Sequence, residues 1–419
     1  MGEHIMKRHN SPLIQTPTAP FFVGIDVGKQ THYVYMVDVE GTACLPRATA
    51  VANTREGYAR LRELIETATA PSVATTVTIG CEATGPYWLN LYEFLTAQGY
   101  QVVVLNPFYV KARRGTTLRG TKTDTVDARL IAEIIRRDQV PRSHIPDAAV
   151  QGLRELTRLR ADLVEQTSDV KRRVITVLDR TFPEFGHCFR DVCGQTARAV
   201  LSEWTLPEQI TAVSTEQLTA VIKQNSHGRL GAEHAQALHD TAQHSIGVHR
   251  GADALAFELR LLLQQVGYLE GQIATLDQEI GKRYRSLDGY LPTIPGVGAA
   301  TAPAIFAEIG DIQRFTDSDQ VVALVGVDPQ LHQSGQSAGQ TKMSKRGSPY
   351  LRRAIWHAAL SAARCDPMFR AIYERQRQRG KHHLVALSHV ANKLTRVVYS
   401  VLKGQRPYNP QYPREVGAV

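Results

Sequence analysis

Between Leu255 and Ile280, eight apolar residues (Leu255, Leu259, Leu262, Val266, Leu269, Ile273, Leu276 and Ile280) follow one another at intervals of 4, 3, 4, 3, 4, 3 and 4. A helix keeps such a seam on one side, because the mean spacing of 3.5 residues nearly matches the helical turn. The chain is therefore committed to one long helix here, and that helix needs an apolar partner along its length. A second, less regular series runs through Leu153, Leu156, Leu163, Val170, Val174 and Val177, interrupted by Arg160 and Thr167. The spacing predicts a coiled coil, formed with this 153–178 helix or with a second subunit, and the periodicity does not choose between them. Residues 185–250 are polar and mixed, and are expected to be a helical insertion in a middle region spanning 150–287.

The first part of the chain has a different rhythm. Phe22 to Val27, His32 to Val39 and Cys44 to Val51 alternate as strands do. A helix is expected from Glu56 to Thr67, a strand from Val73 to Cys81, and a helix from Pro86 to Ala97. A buried strand at Gln101–Leu105 and a helix from Val126 to Arg137 complete the series. Three strands followed by alternating helices and strands is a ribonuclease-H-like order, so residues 21–140 read as an α/β domain. In that order the first and fourth strands are sheet neighbours. Residues 1–20 are polar and rich in Pro and Thr, and read as a flexible tail in which Met6 leaves the natural start open.

Four carboxylates in this domain invite chemistry. Asp26 sits in a strand between apolar neighbours that face the other way. An isolated charge there is costly unless it is paired or binds a metal. Glu82 ends the fourth strand, beside Asp26 in the expected topology. Asp124 and Asp127, three apart at a helix start, share a face. Hard oxygens gathered this way suit Mg²⁺, which can clamp the attacking and leaving oxygens of a phosphodiester. Each acid also has an ordinary reading, as a helix cap, a favourable first-turn charge or a turn residue. Lys111, Arg113, Arg114, Arg119 and Lys122 lead into the pair and could hold a phosphate backbone beside it.

After Gly289 the chain turns to helices punctuated by Pro and Gly, over an expected domain of 288–407 and a tail of 408–419. Pro295-Gly296-Val297-Gly298 before an Ala-rich helix (300–309) looks like the second half of a helix-hairpin-helix, whose backbone amides hold a DNA phosphate. Ser348-Pro349 caps a helix over 350–364, and a last amphipathic helix is expected from Leu384 to Leu402. From Lys342 to Arg406 there are fifteen Lys and Arg against Asp366 and Glu374, within a chain of net charge +9. That surplus is the footprint of contact with a polyanion, and Lys342, Lys345, Arg346, Arg352 and Arg353 are its candidate phosphate contacts. A serine hydroxyl needs its proton removed and its target neutralised before it attacks. Ser334, on a glycine-flanked loop ahead of these cations, is a candidate nucleophile that chemistry alone barely separates from Ser337, Ser344 or Ser348.

At this point a family resemblance appears. Gly24-Ile-Asp-Val-Gly-Lys29, Glu82-Ala-Thr-Gly-Pro-Tyr87 and Lys122-Thr-Asp-Thr-Val-Asp-Ala-Arg129 resemble the three DEDD motifs of the IS-one-ten insertion-sequence transposases. Ile294-Pro-Gly-Val-Gly298, Leu324-Val-Gly-Val-Asp-Pro329, Gln333-Ser-Gly335, Lys345-Arg-Gly347 and Leu351-Arg352 resemble the same family's C-terminal transposase domain. The resemblance implies a RuvC-like metal site at Asp26, Glu82, Asp124 and Asp127. It implies that Ser334 forms a covalent phosphoserine link to DNA. It also implies guidance by a bridge RNA that pairs with target and donor DNA, and dimers that assemble further, to a tetramer, with composite sites shared between subunits.

Two alternatives stay open on residues alone: a RuvC-like nuclease in which water attacks and Ser334 is structural, and a non-catalytic nucleic-acid-binding dimer. No apolar run nears the ~20 residues of a membrane span. The N-terminus lacks a secretory pattern, and the five cysteines are scattered, with only Cys188 and Cys193 loosely grouped beside His187. A cytoplasmic, nucleoid-associated bacterial protein with ordinary buried thiols is expected.

Overall fold

The computed structural model describes residues 21–69, 76–83, 85–114, 123–137, 145–287, 289–327, 329–330, 333–334, 337–338, 342–343 and 347–410. The chain divides into two compact units, Met1–Ile145 and Pro146–Val419.

The first unit is built on five strands: β1 (Phe21–Asp26), β2 (Thr31–Asp38), β3 (Thr49–Ala52), β4 (Val77–Glu82) and β5 (Gln101–Leu105). Their order in the sheet is β3-β2-β1-β4-β5. The first three are antiparallel, while β4 runs parallel to β1 and β5 parallel to β4. The first and fourth strands are thus neighbours, as the element order required. Among the described residues four helices join in: α1 (Arg55–Thr69), α2 (Trp88–Ala97), α3 (Pro107–Arg114) and α4 (Asp124–Arg137).

Alternation along the strands sorts the two faces. Val23, Ile25, Ile79 and Cys81 pack with Leu61 and Ile65 of α1 and with Leu91 and Leu95 of α2. Phe22, Val103 and Leu105 pack on the opposite face with Ile131, Ile134 and Ile135 of α4. Each such side chain contributes roughly 1.5–3 kcal/mol when removed from water. Glycines bring α4 unusually close. Gly24 and Gly80 are paired across β1 and β4, and both belong to the α4 face. A Cβ on Gly24 would stand 2.1 Å from the Ala128 carbonyl oxygen, and one on Gly80 2.8 Å from Ile135.

One expectation is corrected and one helix is new. The third strand does not begin at Cys44: the stretch through Arg47 bends, and only Thr49–Ala52 pairs with β2. Pro46 has no N–H to donate to a ladder, which accounts for the shortening. The helix at Pro107–Arg114 went unforeseen, since a short apolar strand leading straight into Asn106-Pro107 reads as a turn.

The second unit is helical. It comprises α5 (Ala148–Thr181), α6 (Phe185–Cys188), α7 (Gln195–Glu203), α8 (Pro207–Thr211), α9 (Thr215–Asn225), α10 (Ala232–Gln243) and α11 (Ala252–Ser286). Then follow α12 (Thr301–Ile309), α13 (Ser318–Val325), the two-residue strands β6 (Pro329–Gln330), β7 (Gln333–Ser334), β8 (Ser337–Ala338) and β9 (Lys342–Met343), and α14 (Pro349–Cys365), α15 (Pro367–Gln378) and α16 (His383–Gly404).

The helix bearing the heptad seam, α11, lies against α5 of the same chain. Leu255, Leu259, Leu262, Val266 and Leu269 bury with Val170, Val174 and Val177, and helices α6 to α10 close around that cluster. Ion pairs Arg160–Asp277, Lys171–Glu270 and Arg173–Glu258 join the two helices in descending order, so they run antiparallel. Cys188 and Cys193 belong to this packing, with Cys188 Sγ near the Thr241 hydroxyl.

The C-terminal helices form a separate core around Ile305, Ile355, Leu387, Leu394 and Val398. Tyr408, in the stretch expected to be a tail, packs at its edge with its N–H donating to the Thr293 hydroxyl. Helix α15 was not anticipated, although Asp366-Pro367 starts it: the Asp366 carboxylate accepts from the Met368 and Phe369 amides. Among the described residues no helix is long and apolar enough to cross a membrane.

Candidate active site

The close seat of α4 on β1 decides where the acids fall. Asp26 ends β1 and Glu82 ends the adjacent parallel strand β4, one residue past the paired Ile25 and Cys81. Both belong to the face carrying Gly24 and Gly80. Because α4 crosses at Gly24 through Ala128 and Ala132, its first turn lies at that same end of the sheet. Asp127 is buried there and Asp124 is exposed.

The electrostatics of Asp26 follow from this placement. Burial, then the charges of Asp127, Asp124 and Glu82 in that order, push the Asp26 carboxyl up from its ordinary 3.8 to about 6, against a smaller opposing effect of Arg114. A half-buried carboxyl near like charges favours its proton or a cation. Among the described residues Arg114, at the C-terminal end of α3, supplies a cation beside them. Its Nε lies 3.0 Å from Asp127 Oδ1 and its Nη2 2.9 Å from Oδ2, a two-armed pairing. Among the described residues no three His, Cys, Asp or Glu side chains stand close enough in this conformation to form a metal's ligand set. The donor chemistry nonetheless suits a hard divalent cation: oxygen ligands only, in excess of the positive charge beside them.

Of the other cations expected at phosphate, Arg113 lies over the Tyr109 ring at 5.7 Å, and Lys122 falls outside the described residues. In the second unit, Arg352 donates to the Val325 carbonyl at 3.1 Å. Arg353 donates to the Ala161 carbonyl and pairs with Glu165 at 3.4 Å, linking α14 to α5. Lys345 and Arg346 lie outside the described residues, and Lys342 is placed only by its backbone, in β9 opposite Gln330.

Ser334 belongs to a small ribbon. Pro329 and Gln330 pair with Met343 and Lys342, and Gln333 and Ser334 pair with Ala338 and Ser337, leaving only Gly335 and Gln336 between the inner strands. The ribbon's root is fixed on its C-terminal side. Ser348 N–H donates to the Leu324 carbonyl, and a Cβ on Gly347 would stand 1.8 Å from that same oxygen. The Ser348 hydroxyl caps α14, as expected, by accepting from Leu351 N–H, and it donates to Glu308 at 2.8 Å. Glu308 is buried and takes both arms of Arg158, at 2.6 and 3.0 Å. Sequence reasoning missed this cluster. Its only signal was a lone Glu in the Ala/Ile-rich run 302–309.

The Pro295–Gly298 turn precedes α12, and a 3-10 turn (Leu291–Thr293) rather than a helix precedes the Pro-Gly turn. Gly296 has φ +87° and faces α14, where a Cβ would lie 2.5 Å from Ala358 O and Ala362 N. The Gly298 amide donates to the Thr301 hydroxyl at 3.0 Å. Packing and a local cap thus account for both glycines in this conformation.

Carboxylates at the strand ends of a mixed sheet, with a basic segment over 342–406 in the helical unit, are compatible with a DNA-processing enzyme. Residues 23–183 match a family described as a transposase, the DEDD type of IS110 elements, and residues 288–374 match the family described as Transposase IS116/IS110/IS902. The chain belongs to this family of insertion-sequence transposases, enzymes that cut and rejoin DNA. Its relatives include an insertion element IS900 42 kDa protein of Mycobacterium paratuberculosis, 27% identical over 93% of this chain and 98% of that one. A probable family 20 transposase of Pseudomonas aeruginosa is 25% identical over 93% and 98%. A pilin gene-inverting protein of Moraxella lacunata is 23% identical over 93% and 97%.

Proposed function

We propose that this transposase exchanges DNA strands through a covalent link to Ser334, assisted by a divalent-cation site in a RuvC-like, ribonuclease-H-like N-terminal unit. The observation that carries the reading is the placement of Asp26, Glu82, Asp124 and Asp127 at one end of the sheet, where burial first and then the charges of the other three push Asp26 up to about 6. These four residues would hold the cation, for which Mg²⁺ is the natural hard-oxygen choice. When bound, it would neutralise charge developing on the phosphoryl oxygens.

In the proposed step the Ser334 hydroxyl oxygen bonds to the phosphorus of a DNA phosphodiester and a deoxyribose oxygen leaves. The hydroxyl proton passes to a base, and the leaving oxygen takes up a proton. One phosphodiester replaces another, so rejoining needs no external energy source. Arg113, Arg114, Lys122, Lys342, Lys345, Arg346, Arg352 and Arg353, with the amides near Gly296 and Gly298, would face the phosphate backbones. For the arginines already engaged within the chain, that requires exchange of protein partners for phosphate.

Target choice would come from a bridge RNA pairing with donor and target DNA, which leaves the protein to hold backbones. The α5–α11 pair would act as a coiled coil within a dimer that assembles to a tetramer. The reaction belongs at the bacterial nucleoid.

The test uses the purified protein with its element's flanking DNA. Denaturant-resistant protein–DNA adducts and excised-circle junctions are measured for wild type, Ser334→Ala and Asp26→Ala. Ser334→Ala should lose both products while keeping its melting temperature and DNA affinity, and Asp26→Ala should lose the junctions. An adduct persisting in Ser334→Ala would remove the serine from the chemistry and leave a water-using nuclease.

A further inference from the structure

Beside the C-terminal end of α16 lies a cavity of about 700 Å³, within the size range of small-molecule clefts. Among the described residues four cations line it (Lys393, Arg396, Lys403 and Arg406) and no acid does; Tyr399 and Tyr408 supply aromatic wall. Two of the cations are structural. Arg396 pairs with Asp319 at 2.6 Å and donates to the Ser318 hydroxyl, and Lys403 donates to the Gln313 and Phe315 carbonyls. Tyr399 is fixed likewise, its hydroxyl donating to the Thr316 carbonyl at 3.0 Å.

Lys393 differs. It is half-buried and makes no hydrogen bond or ion pair among the described residues. Burial and the neighbouring Arg396 hold its ammonium below the usual lysine range. Its side chain lines the cavity without a protein partner among the described residues, so an anion entering there would gain a charge contact and leave the structural cations undisturbed.

We propose that this cavity is a phosphate subsite for a nucleic-acid strand, with Lys393 as its charge contact and the tyrosines as surfaces for the adjoining sugar or base. A wall of aromatics with cations beside it is the arrangement that takes a nucleotide unit regardless of base identity. The proposal rests on the nucleic-acid chemistry of the transposase, and it is independent of the roles given to Ser334 and the carboxylates.

The experiment measures anisotropy of three fluorescein-labelled 30-nucleotide probes (single-stranded DNA, its duplex, and RNA of the same sequence) with the full chain over a range of salt concentrations. The variants are Lys393→Met, Lys393→Arg and Lys223→Met, the last removing an exposed lysine in α9. With at least one probe, Lys393→Met should bind roughly tenfold more weakly near 0.1 M salt, with the salt slope reduced by about one. Lys393→Arg should stay near wild type, as should Lys223→Met, and all should melt alike. The probe that shows the loss identifies the strand. If wild type binds but Lys393→Met loses no more than Lys223→Met, the subsite falls and the family chemistry stands. If wild type binds none of the three, both fall.

Discussion

The guanidinium of Arg114 grips the carboxylate of Asp127 with both arms, its Nε 3.0 Å from Oδ1 and its Nη2 2.9 Å from Oδ2. Asp127 is 6% exposed in its side chain and Arg114 27%, so the pair is shielded on the acid's side. The guanidinium therefore stabilises an acid cluster that would otherwise repel itself.

Arg114→Gln should lower the stability of the first unit by about 2 kcal/mol in chelator, below the full cost of breaking a buried pair because the arginine is partly exposed. Millimolar Mg²⁺ or Mn²⁺ should raise the melting temperature of the variant more than that of wild type, since the cation would replace the lost charge. Equal shifts in the two proteins would show that Arg114 and the cation do not share Asp127.

The juxtaposition of Gly24 and Gly80 predicts a sharp asymmetry between glycines. Gly24→Ala places a methyl 2.1 Å from the Ala128 carbonyl oxygen, a contact with backbone that cannot yield. It should cost on the order of 3 kcal/mol or more and shift α4 away from the strand ends. Gly271→Ala, in the interior of α11 with nothing within 4 Å, should instead stabilise by up to about 1 kcal/mol. Denaturant melts of the two variants against wild type check both signs.

How far these relationships could be read from sequence depends on the kind of signal each leaves. The order of β1 to β5 and the α11 seam follow from periodicity, and the i, i+3 spacing of Asp124 and Asp127 marked the acid pair. Whether α11 would meet α5 or a second chain was not readable, because a seam records a need for a partner and not its identity. The double-glycine seat of α4 was missed because a glycine inside a strand is equally a bulge or a close approach. The Arg114–Asp127 pair was missed for a different reason: in a run of cations beside acids, sequence gives no way to tell a phosphate contact from an internal partner. Glu308 escaped because a lone acid in an apolar helix is usually placed at the surface, and its partner Arg158 is 150 positions away.

The elevation of Asp26 carries a sign that can be tested. Its folded value of about 6 exceeds the ordinary 3.8, so between those values the folded protein binds more protons than the unfolded chain. The contribution of this residue to stability therefore falls as pH rises through about 4 to 6, and the penalty is complete above 6. In chelator, Asp26→Asn should be more stable than wild type at about pH 7.5, and the difference should shrink towards pH 4. Chemical denaturation at several pH values measures it. A difference independent of pH would mean that neither burial nor the neighbouring carboxylates raise Asp26.

Glu308 joins three elements at the root of the Ser334 ribbon: its own helix α12, α5 through Arg158, and the capping hydroxyl of Ser348 at the start of α14. Its side chain is 3% exposed against 36% for Arg158, so removing the acid leaves a guanidinium half-buried and unpaired and a cap without its support. Glu308→Ala should cost about 3 kcal/mol, and Glu308→Gln less, since the amide can still accept from Ser348. The charge itself is not what the fold needs. Arg158→Met combined with Glu308→Leu should recover much of the loss, as buried ion pairs replaced by apolar side chains commonly do. A double-mutant cycle on Arg158 and Glu308 should return a coupling of about 2 kcal/mol. Additive effects would show the cluster to be incidental to the packing of α5 against α12.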